Sequence, residues 1–283
     1  MGDIILTNHS GIRLFCFVTV LVGMALWEAL APRRERVLTR MARWPHNIGI
    51  AVVNTLVVRL LFPAAAVGMA LYVESRGWGL LAGTELSPWV SVPLCVLVLD
   101  LAIYLQHVMF HAVPLFWRFH RMHHADLDFD VTTGARFHPV EIVLSMLIKF
   151  AVIIVLAPPV LAVVVFEILL NASSMFNHSN VRIPVHVDRV LRWLVVTPDM
   201  HRVHHSIEKD ETNSNFGFNL PWWDRLLGTY RDQPRGGHEG MTIGLEDFRE
   251  PRVCDTLPGM LGIPFASAAG GYAINRRNPG GHE

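Results

Sequence analysis

The sequence predicts an all-α integral membrane protein of about four to five membrane helices, the last two as a hairpin, with a helical cap on one side of the bilayer. Three observations carry this expectation. Hydrophobic residues make up 52% of the 283-residue chain and charged residues only 17%, with mean hydropathy +0.35, the balance of a chain partly solvated by lipid. Apolar runs recur, and a helix needs about 20 apolar residues to cross a bilayer. Eight of the 15 histidines fall in three short runs separated by ordinary hydrophobic sequence, not in one compositional block.

The first apolar run is Leu14–Leu30. Met1–Ile12 holds no Lys or Arg, and no small-residue cleavage site follows, so a retained helix is expected rather than a cleaved leader. Arg33, Arg34, Arg36, Arg40 and Arg43 crowd the loop before the second run, Ile48–Val73, and the positive-inside rule places that loop in the cytoplasm. Glu74–Trp89 is then external, and the third run, Val90–Val113, returns to the cytoplasm. Ile142–Phe176 is long enough for two helices, with Pro158-Pro159 as the turn between them. Beyond Phe176 the chain turns polar and forms the expected cap.

Arg59 and Asp100 both fall about halfway along their runs. A lone charge at that depth is unfavourable, so an Arg59–Asp100 ion pair is expected. Cys16, Cys95 and Cys254 are too scattered for a metal motif and are read as packing thiols of a reduced protein. Gly236–Gly240 and Ala266–Glu283 are glycine-rich and expected to be loose. Formal net charge is zero; no basic nucleic-acid patch, nucleotide-binding glycine motif or internal repeat is visible.

The histidines read HxxxH (His107, His111), HxxHH (His120, His123, His124) and HxxHH (His201, His204, His205), with Asn177-His178 between the last two. On a helix, positions i, i+3 and i+4 share one face, and neutral imidazole is the commonest protein ligand for transition metals. A polynuclear metal site follows, and the arginine topology brings every run to the cytoplasmic boundary. A zinc peptidase would need His-Glu-x-x-His, which is absent. A haem cytochrome would place its histidines within opposed spans. The alternative kept open is a non-catalytic membrane metal-binding or transport protein, which would place ligands near mid-membrane.

Taken in order, these runs resemble the sterol desaturase/fatty acid hydroxylase superfamily of membrane non-haem di-iron oxygenases. Asp100, the Arg136-x-His138-Pro139-x-Glu141 stretch, Thr197-Pro198, Asn215-Phe216-Gly217 and Trp223–Tyr230 match as well. The resemblance covers about Val90 to Tyr230. It implies two iron ions, O2, and hydroxylation or desaturation of an unactivated C–H bond in a lipid taken from the bilayer (a sterol, fatty acyl or related chain). It also implies a separate electron-transfer protein, because no His-Pro-Gly-Gly haem motif is present and Pro279-Gly280-Gly281-His282 is not its equivalent. Residues 89–235 would be the fatty acid hydroxylase-type catalytic domain, 1–88 the N-terminal membrane helices and loops, and 236–283 a partly flexible extension. A multi-pass protein of a bacterial inner membrane, its site on the cytoplasmic face, is expected.

The ligands implied are His107, His111, His120, His123, His124, His201, His204 and His205, with His178 as a ninth. Asp126, His138, Asn177 and Asp199 are candidates to hydrogen-bond ligand imidazoles and fix their tautomers. Arg118, Arg121 and Arg202 flank the motifs and either receive an acidic electron carrier, or are solvated, or meet lipid headgroups. His9, His46, His186, His238 and His282 lack spacing partners and are read as surface residues.

Overall fold

Prolines and caps decide where the helices of this chain start and stop. The structure, a computed structural model, describes residues 2–267 and 271–274. Helix α1 is Gly2–Leu30. Helix α2, Arg40–Leu61, starts at Thr39, whose Oγ1 accepts the Ala42 N–H at 3.3 Å. Pro63 then interrupts the run expected to continue to Val73, so α3, Ala65–Arg76, is a separate helix closed by Gly77 at φ 63°. Helices α4 (Pro88–Ala112), α5 (Pro114–His124) and α6 (Pro139–Leu156) each begin with proline, which lacks only an N–H the first turn leaves unpaired. Helix α7, Val160–Asn177, follows Pro158-Pro159, the turn anticipated between the last two spans.

Five segments are long and apolar enough to cross a membrane: Ser10–Leu30, Arg40–Arg76, Pro88–Ala112, Pro139–Leu156 and Val160–Asn177. No strand forms among the described residues; only isolated bridges occur. Helix α7 is central, with α1, α3 and α4 against it, while α3 and α4 also lie on α6. Val67, Ala70, Val73, Met146, Ile153, Val163 and Val164 fill one seam. The outer faces expose Phe15, Leu56, Leu60, Trp89 and Leu105, an inside-out distribution that hydrocarbon would satisfy. Charges within the spans mostly turn inward: Glu167 is buried, held by Arg13 at 2.8 Å and Lys149 at 3.2 Å.

The expected Arg59–Asp100 pair does not form. Arg59 is exposed on α2. Asp100 is buried, and its carboxylate accepts from Asn219 Nδ2 at 2.8 Å and Trp223 Nε1 at 2.8 Å. Neutral donors from the cap therefore satisfy the charge that a cation was expected to meet.

The cap comprises α8 (Val185–Leu191), α9 (Pro198–His204), α10 (Lys209–Thr212), α11 (Trp222–Leu227), α12 (Gly237–Gly240), α13 (Pro251–Cys254) and α14 (Leu257–Gly262). Leu245, Phe248, Cys254, Met260, Ile263 and Tyr272 pack with Trp117, Met122, Ala125 and Leu127 around α5. The looseness expected of Gly236–Gly240 and Ala266–Glu283 is thus corrected where the chain is described. Gly237–Gly240 is helical, and Tyr272 and Ala273 are buried; residues 268–270 and 275–283 lie outside the described residues.

Candidate metal centre

Helices α4 and α5 meet at one residue, Val113, which ends the first and caps the second. Pro114 cannot prolong α4, so the chain turns sharply and folds the last turn of α5 against the last turn of α4. His107 and His111 lie one turn apart on α4, and His120, His123 and His124 fill the last turn of α5. His178 terminates α7. Thr197 caps α9 through a 3.3 Å bond from Met200 N–H, and that short helix carries His201 and His204, with His205 as its C-cap.

All nine imidazoles are buried and they sort into two groups. His107, His111, His120, His124 and His204 form one; His123, His178, His201 and His205 form the other, and within each group the ligand atoms lie within 4.8 Å of one another. Each HxxHH run is shared: on α5, His123 faces the second group while His120 and His124 face the first. On α9 only His204 joins the five-histidine group.

Hydrogen bonding fixes which nitrogens point inward. His107 Nδ1 donates to Phe216 O at 2.8 Å, His123 to Arg136 O at 3.1 Å, His178 to Ser174 O at 2.7 Å and His204 to Ser214 O at 2.7 Å. His111 Nδ1 meets Asn213 Oδ1 at 3.0 Å and His120 Nδ1 meets Glu141 Oε1 at 2.7 Å. Every partner is an oxygen acceptor, so Nδ1 carries the proton and Nε2 offers a lone pair. Those lone pairs then face one another: His107 to His120 at 3.1 Å, His107 to His204 at 3.0 Å, His123 to His178 at 3.1 Å. Two acceptors at that separation repel unless a cation lies between them. Both ring nitrogens of buried His205 also lack a partner. Burial and mutual repulsion hold His123, His124, His201, His204 and His205 well below the ordinary imidazole range, and burial pushes His178 down to about 3. Neutral, convergent imidazoles suit divalent transition metals, and the residues fit a pair of them.

The groups expected to orient these rings do other work. Burial alone would raise Asp126, but Arg43 and Arg136 outweigh it and hold its carboxyl below the usual range. Arg43 grips that carboxylate at 2.9 and 2.7 Å. Asp199 pairs with Arg33 at 3.1 Å and with Arg202. Asn177 donates to Phe218 O at 3.0 Å, and His138 caps α6 by accepting the Val140 N–H at 3.2 Å. The side chains that hold rings of the two groups are instead Glu141, on His120, and Asn213, on His111. Glu141 was legible as part of the Arg136–Glu141 stretch; Asn213 had no signal, being placed by tertiary folding alone.

Two other expectations change. His238, read as a surface residue, is buried in the cap with Nε2 at 3.6 Å from Asp199. Of the three flanking arginines, Arg121 is buried against Ile263 O and Ala266 O, each at 2.7 Å, and Arg202 is buried as well; only Arg118 is exposed. Beside the centre a narrow cavity is lined by Ile103, Gln106, Phe110, Phe137, Glu141 and Phe218, with His107, His120 and His123 on its wall.

Fold and site together define a helical, membrane-type protein built around two buried histidine groups that could hold metal ions. Residues 92–229 match the fatty acid hydroxylase family, and this segment of the chain belongs to it. The ornithine lipid hydroxylase OlsE of Rhizobium tropici is 29% identical over 145 residues, 51% of this chain and 43% of that protein. Alkylglycerol monooxygenase of Homo sapiens is 27% identical over 168 residues, 59% and 36% respectively. Cholesterol 25-hydroxylase of Rattus norvegicus is 27% identical over 154 residues, 53% and 50%. The chain therefore spans half or less of these relatives. No solved structure matches it.

Proposed function

We propose that this chain is a membrane-bound di-iron oxidoreductase that uses O2 and a separate electron-transfer protein to hydroxylate an unactivated C–H bond of a lipid. One observation carries the reading: nine buried imidazoles in two groups, of which His107, His111 and His178 sit at the ends of helices apolar enough to span a bilayer and the other six on the short helices packed beside them. Iron held there would supply the activation of O2 that such a bond requires. His107, His111, His120, His124 and His204 would hold one ion, and His123, His178, His201 and His205 the other. Glu141 and the carbonyls of Phe216, Ser174 and Ser214 keep the ring lone pairs aimed inward.

Ile103, Phe110, Phe137 and Phe218 wall the adjoining cavity with apolar surface, which suits an alkyl segment and limits water near the reacting carbon. Hydroxylation is preferred over desaturation because the named relatives are hydroxylases and a monooxygenase. Arg33, tied to the cap through Asp199, belongs to the arginine-rich α1–α2 connection, which supports a cytoplasmic site in a bacterial inner membrane. Residues 89–235 would form the catalytic unit and 1–88 its membrane anchor.

The test is metal analysis joined to lipid mass spectrometry. Purified protein should hold about two irons per chain without a haem absorption band. Cells carrying the wild-type chain should gain one oxygen in a single lipid class that cells carrying His204→Ala do not. Identical lipid profiles in the two strains, or zinc alone in protein from iron-replete cells, would overturn the proposal.

A further inference from the structure

We infer that the C-terminal segment at Tyr272–Ile274 is a working part of the five-histidine group, setting both the proton position and the backbone of His111. The inference rests on the metal-centre reading above and concerns residues outside the family-matched segment 92–229. Asn213 stands between the tail and the ligand. Its Nδ2 donates to Tyr272 O at 2.7 Å and its Oδ1 accepts from His111 Nδ1 at 3.0 Å. Only one amide orientation satisfies both contacts. The Tyr272 carbonyl demands the NH2 group, so the oxygen must face the imidazole, and the imidazole must carry its proton on Nδ1. The Nε2 lone pair is thereby left for the centre. If the Tyr272 carbonyl moved away, the amide would be free to turn over and present NH2 to Nδ1. That arrangement selects the opposite tautomer, with Nε2 protonated and unable to ligate.

The tail also holds the main chain. Ile274 N–H donates to His111 O at 2.9 Å, occupying one of the carbonyls that the last turn of α4 leaves without a helical partner. The segment is anchored firmly enough to do this. Tyr272 is 1% exposed. Its hydroxyl donates to Ile207 O at 2.8 Å and accepts the Glu246 N–H at 3.0 Å. Its ring stacks on Trp117, with centroids 5.9 Å apart and planes at 23°. The Trp117 ring in turn lies 4.7 Å from that of His111 and 5.3 Å from that of His124. Tyr272 is thus a positioning residue, acting on the centre through Asn213 and Trp117.

Cobalt(II) titration of the full chain in lipid nanodiscs, followed by visible absorption, tests this. The wild-type chain should take up about two ions. Tyr272→Ala and Asn213→Leu should each weaken one site by about 10–100-fold while the other keeps wild-type affinity. Tyr272→Phe, which preserves the stack and the main-chain carbonyl, should restore both sites. Variants that keep two wild-type affinities, or that weaken both sites equally, would overturn the inference and leave the metal-centre reading intact. A wild-type chain that binds no cobalt would instead remove the metal-centre reading and the inference together. If Tyr272→Ala does not fold, Asn213→Leu decides.

Discussion

Glu141 Oε1 and His120 Nδ1 stand 2.7 Å apart, both side chains buried, the carboxylate on the first turn of α6 and the imidazole on the last turn of α5. The two helices are joined by a loop containing Asp126 and Asp130, both bound by Arg43. Glu141 Oε2 is buried with no hydrogen-bond partner, and Glu141 is among the residues lining the cavity beside the centre.

Removing that acceptor should be felt in metal affinity. Glu141→Leu leaves the His120 N–H unpaired in a dry site and should weaken metal binding about 10–100-fold. Glu141→Gln still presents an oxygen and should lose markedly less. Metal titration of the two variants checks the order; equal losses would mean that charge, not the hydrogen bond, is what His120 requires.

A methyl group can reach the four-histidine group from outside. A Cβ at position 134 would lie 2.4 Å from Ser174 O, the carbonyl that accepts from His178 Nδ1 at 2.7 Å. Gly134→Ala should destabilise the fold by about 1–3 kcal/mol through overpacking and weaken one metal site selectively. Thermal melting in detergent gives the first number and metal titration the second.

Asp100 and Arg59 should behave as unrelated positions. Asp100→Asn turns an NH2 toward a donor, either Trp223 Nε1 or the Asn219 amide, and should lower stability by about 1–3 kcal/mol. Arg59→Gln, on an exposed face, should change it by about 0.5 kcal/mol or less. Melts of both single variants test this, and a matching loss in Arg59→Gln would restore the ion pair.

His238 predicts an acid-sensitive cap. Burial pushes its imidazole down to about 4, with neighbouring Asp199 pulling the other way. As pH falls from 6.5 to about 4 the unfolded chain takes up a proton that the folded chain refuses, so stability drops across that window and is unaffected above it. The slope from this one group is at most about 1.4 kcal/mol per pH unit. The stability difference between wild type and His238→Gln should therefore be flat above about pH 7.5 and shift in favour of the variant toward pH 5; a difference that stays constant down to pH 5 would contradict it.

Much of the centre was legible because a helix converts spacing into direction. HxxxH and HxxHH place imidazoles on one face whatever else the chain does, and the prolines at 114, 139 and 158–159 mark real helix boundaries. What local pattern does not encode is which partner a group meets. Midspan depth suggested Arg59 for Asp100, whereas Asn219 and Trp223, more than a hundred residues along, supply the donors. His238 looked solitary because its neighbour Asp199 is distant in sequence. The tail looked loose because glycine and small residues hide the apolar contacts made by Met260, Ile263 and Tyr272.

The division of each HxxHH run between two groups has a consequence for how the protein is made. His107 to His124 leave the ribosome early, yet the five-histidine group lacks its last imidazole until His204 appears and its His111 clamp until Tyr272 and Ile274 appear. Throughout that interval the nascent chain carries five imidazoles on two joined helices without the residues that complete the group. The two parts of the clamp on His111 therefore come from opposite ends of the fold's assembly order, the ring first and its acceptor chain much later.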